Sequence, residues 1–439
     1  MANILVIGGS LGGLLAANML LRAGHQVRVL EKSSASLDGR GAGIVTHQPL
    51  MQALAQCGLA VDTSTSAGQT LGVQLSRRVA LAQDGSVLSE LHLPQLVTSW
   101  SRLYALLLSA FPAGQYVSGA AVSSVSQQGD GVVVRCADGR VFEADLAVAS
   151  DGIRSSVRGL LAPEAQPLYA GYVAWRGVCD ESALSAHTLD SIFDCFGFAM
   201  APGEQLIGYP VAGAGNVLDK GQRRYNFVWY RPADAAALAS LMTDSDGIHF
   251  PLGIAPGRVA PAHVAEARAA AQRLLAPQFA EIIAKTTQPF LQPIYDCTTP
   301  AMAFGRVALM GDAAFVARPH VGMGVTKAAE DAMALVRSIA QHGATPAALT
   351  AYEQQRLAPC HAVVQRGRAL GAHLQAPLAG AAKQRAAAPT PAPAAVVAHT
   401  AIDLSRPQSG QAAGDPEFLR RNASRQLQAT DAQAAGGFM

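Results

Sequence analysis

Two stretches of this chain set carboxylates beside glycine-bounded turns. In "GDAAFVARPHVGMG", residues 311–324, Asp312 follows an apolar run, and Gly322, Met323 and Gly324 lead into a helical pattern. Near the N-terminus, "GGSLGG" offers Gly8 and Gly13 as the outer glycines of a G-x-G-x-x-G turn, with Ser10 in the middle place and Leu11 beside it. Gly8 permits the tight turn, and Gly13 permits close packing of helix on strand. Ser10 is small and can still donate a hydrogen bond. The unpaired amides of such a helix start suit a pyrophosphate. Glu31 stands eighteen residues beyond Gly13 at the end of the following strand pattern, with Lys32 after it. A carboxylate there can accept from ribose hydroxyls, so turn and acid together read as a dinucleotide site. A third turn, Asp151-Gly152 in "FEADLAVASDGIRSSVR", also ends an apolar run, although an aspartate there could serve simply as a helix cap. Two histidines, His47 in "GIVTHQP" and His320 in the 311–324 stretch, could move protons near neutral pH. Either could instead be a structural, hydrogen-bonded histidine.

Chemistry of this kind needs a packed frame, and the composition provides for one. The chain has 439 residues, half of them hydrophobic and 15% charged, enough for more than one core. A net charge of +2 gives no field for steering onto nucleic acid or anionic lipid. Six cysteines stand singly, without a C-x-x-C pair, which argues against a disulfide frame or a metal site and for buried thiols in a reducing, cytoplasmic setting. No apolar run reaches the roughly 18 residues of a membrane span, and the N-terminus enters a strand without a basic leader.

The positioning elements follow from periodicity. "NILVIGG" reads as a strand buried on both faces, "LGGLLAANMLLRAG" as a helix closed by Gly24, and "QVRVLEK" as the next strand, making a βαβ unit. Between about 166 and 289, "QLIGYPVA" and "YNFVWYRP" alternate as antiparallel strands. They put Gln205, Ile207 and Tyr209 on one face of the first, and Asn226, Val228 and Tyr230 on one face of the second. Tyr209, Trp229 and Tyr230 could equally be core aromatics. From about residue 379 an Ala/Pro-rich stretch and a polar tail suggest a linker and a flexible or loosely docked end, with a short helix over 414–428 the one element expected there.

The three motifs, in this order, resemble those of the single-component FAD-dependent aromatic hydroxylases, the para-hydroxybenzoate hydroxylase superfamily, over roughly residues 1 to 375. "YAGYVAWRGV", "RRYNFVWYRP" and "MAFGRVALMGDAAFVARPHVGMGVTKAAEDA" look most like the branch that includes 2,6-dihydroxypyridine 3-hydroxylase. The resemblance implies an α/β fold: a Rossmann-like FAD-binding domain from 1–75, 98–165 and 290–378, a mixed or antiparallel substrate sheet from 76–97 and 166–289, and C-terminal helices. It implies that Asp312 accepts from the ribityl chain, that Asp151 belongs to the family's Asp-Gly motif, and that amides around Gly322, Met323 and Gly324 face the flavin N1–C2=O edge. A helix start there would stabilise the anionic reduced ring. Arg40 and Arg102 resemble the family's flavin-contacting arginines, and Gln205, Tyr209 and Asn226 occupy the strands that supply its substrate contacts. Phe315 stands where many members have His, and Met323 where many have Gln.

What the resemblance implies for activity is a monooxygenase. NAD(P)H, bound without its own Rossmann domain, reduces FAD, and O2 then gives a C4a-hydroperoxyflavin that hydroxylates an electron-rich aromatic or hydroxypyridine-like ring, with His47 or His320 as base. A homodimer stays open as an assembly. So do a flavin-dependent epoxidase or reductase of the same fold and a non-catalytic FAD-binding protein, since motifs establish a cofactor and not turnover.

Overall fold

Strand Asn3–Ile7, the run NILVI, is buried along all but its first residue. It lies in the middle of a six-stranded sheet ordered Ala303–Phe304, Val307–Leu309, Leu146–Ala149, Asn3–Ile7, Gln26–Leu30, Tyr116–Val117. All neighbours pair in parallel except the hairpin formed by Ala303–Phe304 and Val307–Leu309. The computed structural model describes residues 1–37, 43–59, 71–251, 253–376 and 389–405. Helix Leu11–Arg22 follows the first strand and packs against Gly324–His342, so the helices that begin at the two glycine turns lie side by side. A three-stranded antiparallel sheet, Val122–Gln128, Gly131–Cys136 and Val141–Ala144, flanks this domain.

The second large sheet has eight strands in the order Phe290–Asp296, Leu168–Asp180, Arg224–Pro232, Gln205–Val211, Phe196–Ala199, Val73–Leu81, Val87–Ser99, Gly43–Val45. It is antiparallel except where Phe196–Ala199 meets Val73–Leu81 in parallel, so the expected mixed sheet is present. Alternation along its strands separates two cores. Leu206, Phe227 and Trp229 pack on one face with the helices Pro261–Leu274 and Pro277–Lys285. Ile207, Tyr209, Val228 and Tyr230 lie on the other. Trp229 is therefore a core residue of the far face.

The long helix Pro346–Leu370 closes the C-terminal side. Arg318 and Arg368 converge on buried Asp296 at 2.8 and 2.6 Å, fixing that helix and the 311–324 loop to the edge of the large sheet. The Ala/Pro-rich stretch differs from its expected looseness where it is described. Residues Pro393–His399 form a helix against Val73–Leu81 and Val87–Ser99, with Val396, Val397 and Ala401 buried. Composition hides this because alanine and proline dominate the count, while the few apolar side chains do the packing. The stretch 414–428 lies outside the described residues, as does Arg40. All six cysteines are buried and free.

Candidate active site

At the first turn the glycines do what their spacing suggested. Gly8 holds a φ of +104°, and a Cβ on it would sit 2.3 Å from the Ser150 carbonyl oxygen. A Cβ on Gly13 would lie 1.8 Å from the Gly8 oxygen, so only glycine lets this helix approach its strand. Ser10 is the N-cap residue and makes no side-chain cap, which leaves the first amides of the helix available. Leu11 turns its side chain into the core, so only its backbone can reach a ligand. Glu31 is buried, and its carboxylate accepts from the amides of Gly9 and Ser33, each at 2.8 Å. It thus ties the turn to the second strand. Lys32 is exposed.

The Asp-Gly and Gly-Asp turns are joined by a residue whose role the sequence did not reveal. Arg158 is buried and donates to the carbonyls of Ala165 (3.0 Å), Asp312 (3.3 Å) and Ala313 (2.9 Å), and also to that of Ile153. Asp151 accepts from Ser156 Oγ at 3.2 Å and from the Val157 amide at 3.4 Å, which is helix capping, while its Oδ1 finds no partner among the described residues. Asp331, in Gly324–His342, accepts from the Gly311 amide at 3.0 Å and is held by Arg356 at 2.7 Å. These partners lie up to 155 residues apart, so no local pattern announces them. Asp312 itself keeps about half its side chain exposed (49%), with the wholly buried Lys327 Nζ 3.9 Å away.

Further along, Gly322 adopts a left-handed φ of +64°, Met323 caps the helix, and Gly324 begins it with nothing within 4 Å of an added Cβ. A half-exposed carboxylate, a helix start that is open among the described residues and a buried ammonium beside them suit the ribityl and ring end of FAD, as the Gly8–Gly13 cradle suits its pyrophosphate. Phe315 is buried edge-on against His361, centroids 4.8 Å apart, so the position many relatives fill with histidine is here apolar packing.

His47 is buried at the start of helix Gln48–Gln56, and its Nδ1 shares a 3.0 Å hydrogen bond with Thr326 Oγ1, two residues past Gly324. The strand leading to it, Gly43–Val45, is the edge strand of the large sheet. The Gly43 amide donates to Asn226 Oδ1 at 3.1 Å, and a Cβ on Gly43 would strike the Tyr209 ring at 2.3 Å. Gln205 Nε2, Asn226 Nδ2 and Tyr230 OH are buried without partners among the described residues. Burial pushes the Tyr209 and Tyr230 phenols up, so both stay protonated donors. His320 is also buried; Nε2 meets Tyr172 OH at 2.9 Å and the ring packs 4.3 Å from Tyr230. Burial, with His373 and Arg318 nearby, holds its pKa well below the usual value. Arg102 donates to the Asn216 carbonyl at 2.6 Å.

This geometry agrees with comparisons across known proteins. Residues 1–201 and 256–367 match the FAD binding domain family, and 169–296 match an FAD binding domain-like family. The chain belongs to the FAD-dependent aromatic hydroxylases. It is a flavoprotein monooxygenase by that membership, with FAD as its cofactor. It is 31% identical over 377 residues to 2,6-dihydroxypyridine 3-monooxygenase of Paenarthrobacter nicotinovorans, covering 85% of this chain and 91% of that one. It is 28% identical over 354 residues to 6-hydroxynicotinate 3-monooxygenase of Pseudomonas fluorescens, covering 78% and 83%. The solved 2,6-dihydroxypyridine-3-hydroxylase of Arthrobacter nicotinovorans superposes with a TM-score of 0.80 at 28% identity, over 93% of this chain and 99% of that one. No helix among the described residues is long and apolar enough to cross a membrane.

Proposed function

We propose that this hydroxylase acts on a hydroxylated N-heteroaromatic or phenolic ring, with NAD(P)H as reductant and O2 as co-substrate. The observation that carries the reading is the meeting of His47 with Thr326 beside the flavin loop, two residues after a strand whose Gly43 is touched by Asn226 and Tyr209. Bound FAD supplies an electrophilic oxygen after reduction and reaction with O2. The chain's task is to make the ring nucleophilic and to keep it dry. Thr326 holds the His47 ring through Nδ1, and this imidazole is the group assigned to take the ring hydroxyl's proton. His320 is the poorer base, because burial and two neighbouring cationic or cationisable groups oppose its protonation. Gln205, Asn226 and Tyr230 carry the polar atoms that a ring oxygen or nitrogen would satisfy. Asp312, Gly322, Met323 and Gly324 hold the flavin end, and Gly8, Ser10, Gly13 and Glu31 the adenosine end.

A stopped-flow panel tests this. A hydroxylated pyridine or phenol should accelerate anaerobic flavin reduction by NADH or NADPH and, with O2, leave with one more hydroxyl. His47→Gln should keep the stimulated reduction and divert oxygen to H2O2, because proton removal matters only when oxygen is transferred. His320→Gln should divert far less. If no hydroxylated ring stimulates reduction, the ring-hydroxylase reading fails.

A further inference from the structure

Arg78 is completely buried on the same face of the large sheet as Tyr209 and Tyr230, yet no carboxylate lies within ion-pair distance of it among the described residues. Its guanidinium donates instead to backbone carbonyls of the C-terminal stretch: Nη1 to Val397 at 2.8 Å and to Thr400 at 2.6 Å, and Nη2 to Ala401 at 3.0 Å. Nη2 also meets Gln95 Oε1 at 2.6 Å, and Gln95 Nε2 donates to the same Ala401 oxygen at 2.8 Å. Burial pulls the Arg78 pKa down to about 9, which still leaves it charged at neutral pH. A buried cation of this kind is tolerable only while its acceptors stay in place. Arg78 and the stretch after Ala392 therefore depend on each other.

The other side of Ala401 faces the catalytic loop. Its amide donates to the His320 carbonyl at 2.8 Å, its oxygen lies 3.5 Å from His47 Nε2, and a Cβ on Gly322 would stand 2.6 Å from the Ala401 Cβ. Ala401 holds a φ of +50°, a conformation an alanine keeps only where its surroundings fix it. Val396, Val397 and Ala401 share one apolar cluster with Ile207, Tyr209, Val228 and Tyr230. One short segment thus touches the flavin loop, the candidate base and the substrate-facing strands.

We propose that residues 396–402 are a wall of the ring chamber, clamped by Arg78 and Gln95, and that this wall limits the size of ring admitted and keeps water from the flavin loop. The identity of the guest rests on the hydroxylase reading above; the existence of the wall does not. Hydrogen–deuterium exchange on the full-length, FAD-loaded protein separates the two. Arg78→Met should speed exchange of the amides over 393–402 by at least about tenfold, since their opening then needs no broken clamp, while strand Asn3–Ile7 stays protected. Gln95→Leu removes one donor to Ala401 and one acceptor of Arg78 but leaves the cation its three carbonyls, and should give a smaller change in the same segment. Val397→Ala trims the wall and spares the clamp. It should let a bicyclic analogue of the best monocyclic substrate stimulate flavin reduction, and Arg78→Met should raise the H2O2 released per NAD(P)H consumed. Unchanged exchange over 393–402 in both clamp variants would overturn the clamp. Faster exchange with unaltered ring-size preference and peroxide yield would overturn the wall. Should no ring of any size stimulate reduction, the hydroxylase reading falls and the exchange result still decides the clamp.

Discussion

Lys327 is the least obvious charge beside the flavin loop. Its ammonium is wholly buried, 3.9 Å from Asp312 and 4.0 Å from Asp331, and makes no hydrogen bond among the described residues. A cation so placed offsets two carboxylates at long range and leaves the Asp312 oxygens free to accept from a ligand. Asp312→Ala removes the acceptor and should weaken FAD binding by about 1.5–3 kcal/mol, roughly ten- to a hundredfold in Kd. Flavin retained after dialysis at limiting FAD, with far-ultraviolet circular dichroism as the control for folding, is the measurement. Glu31 needs a more careful reading. Its carboxylate already accepts from two backbone amides, so Glu31→Ala should loosen the first turn as well as remove a ribose acceptor. Both effects lower FAD affinity and neither reaches the ring.

Elements, more than single residues, decide how much of this could be foreseen. The βαβ unit was legible because a buried strand, a helix and a glycine turn each leave a local pattern, and Gly13→Ala tests that pattern. The added methyl would meet the Gly8 oxygen at 1.8 Å, so helix and strand must part. A cost of about 1–3 kcal/mol in denaturant unfolding and a loss of bound flavin are expected. The face assignment of Gln205–Val211 and Arg224–Pro232 was legible for the same reason, since a strand's period of two divides Ile207, Tyr209, Val228 and Tyr230 from Leu206, Phe227 and Trp229. What the sequence could not reveal is contact across long separations. Arg158 reaches Ala313 over 155 positions, and Arg78 reaches Thr400 over 322. The nearer partners of Arg158, the carbonyls of Ile153 and Ala165, are backbone groups that any residue offers, so nothing local marks either arginine. Arg158→Met should leave the carbonyls of Ile153, Asp312 and Ala313 without their donor, at about 1–3 kcal/mol for each that stays dry. It should lower the unfolding midpoint and FAD affinity together, as seen by thermal denaturation with and without added FAD.

Across the whole molecule, the groups that bind the two large sheets together also set its response to acid. Arg318 and Arg368 meet Asp296 where the loop, the long helix and the large sheet join, and His320 and His373 are buried close by. Burial holds both histidines neutral in the fold, His320 well below its usual value and His373 down at about 4. The sign of the effect follows from linkage. Each folded-state pKa lies below the unfolded value near 6.5, so in the window between them the unfolded chain binds the extra proton. Stability contributed by the neutral histidine is complete above about pH 6.5 and falls as the pH drops toward the folded value, by up to about 1.4 kcal/mol per unit for each residue. For His373 the fall should total about 3 kcal/mol by pH 4. Urea unfolding of the FAD-loaded protein at pH 7.5, 6 and 5 should therefore show a declining midpoint. His373→Asn, which cannot take up a proton in either state, should make that decline shallower below pH 6 whatever it costs at pH 7.5. An unaltered slope would mean that His373 is protonated as readily in the fold as in the unfolded chain, and that the acid response arises from other groups.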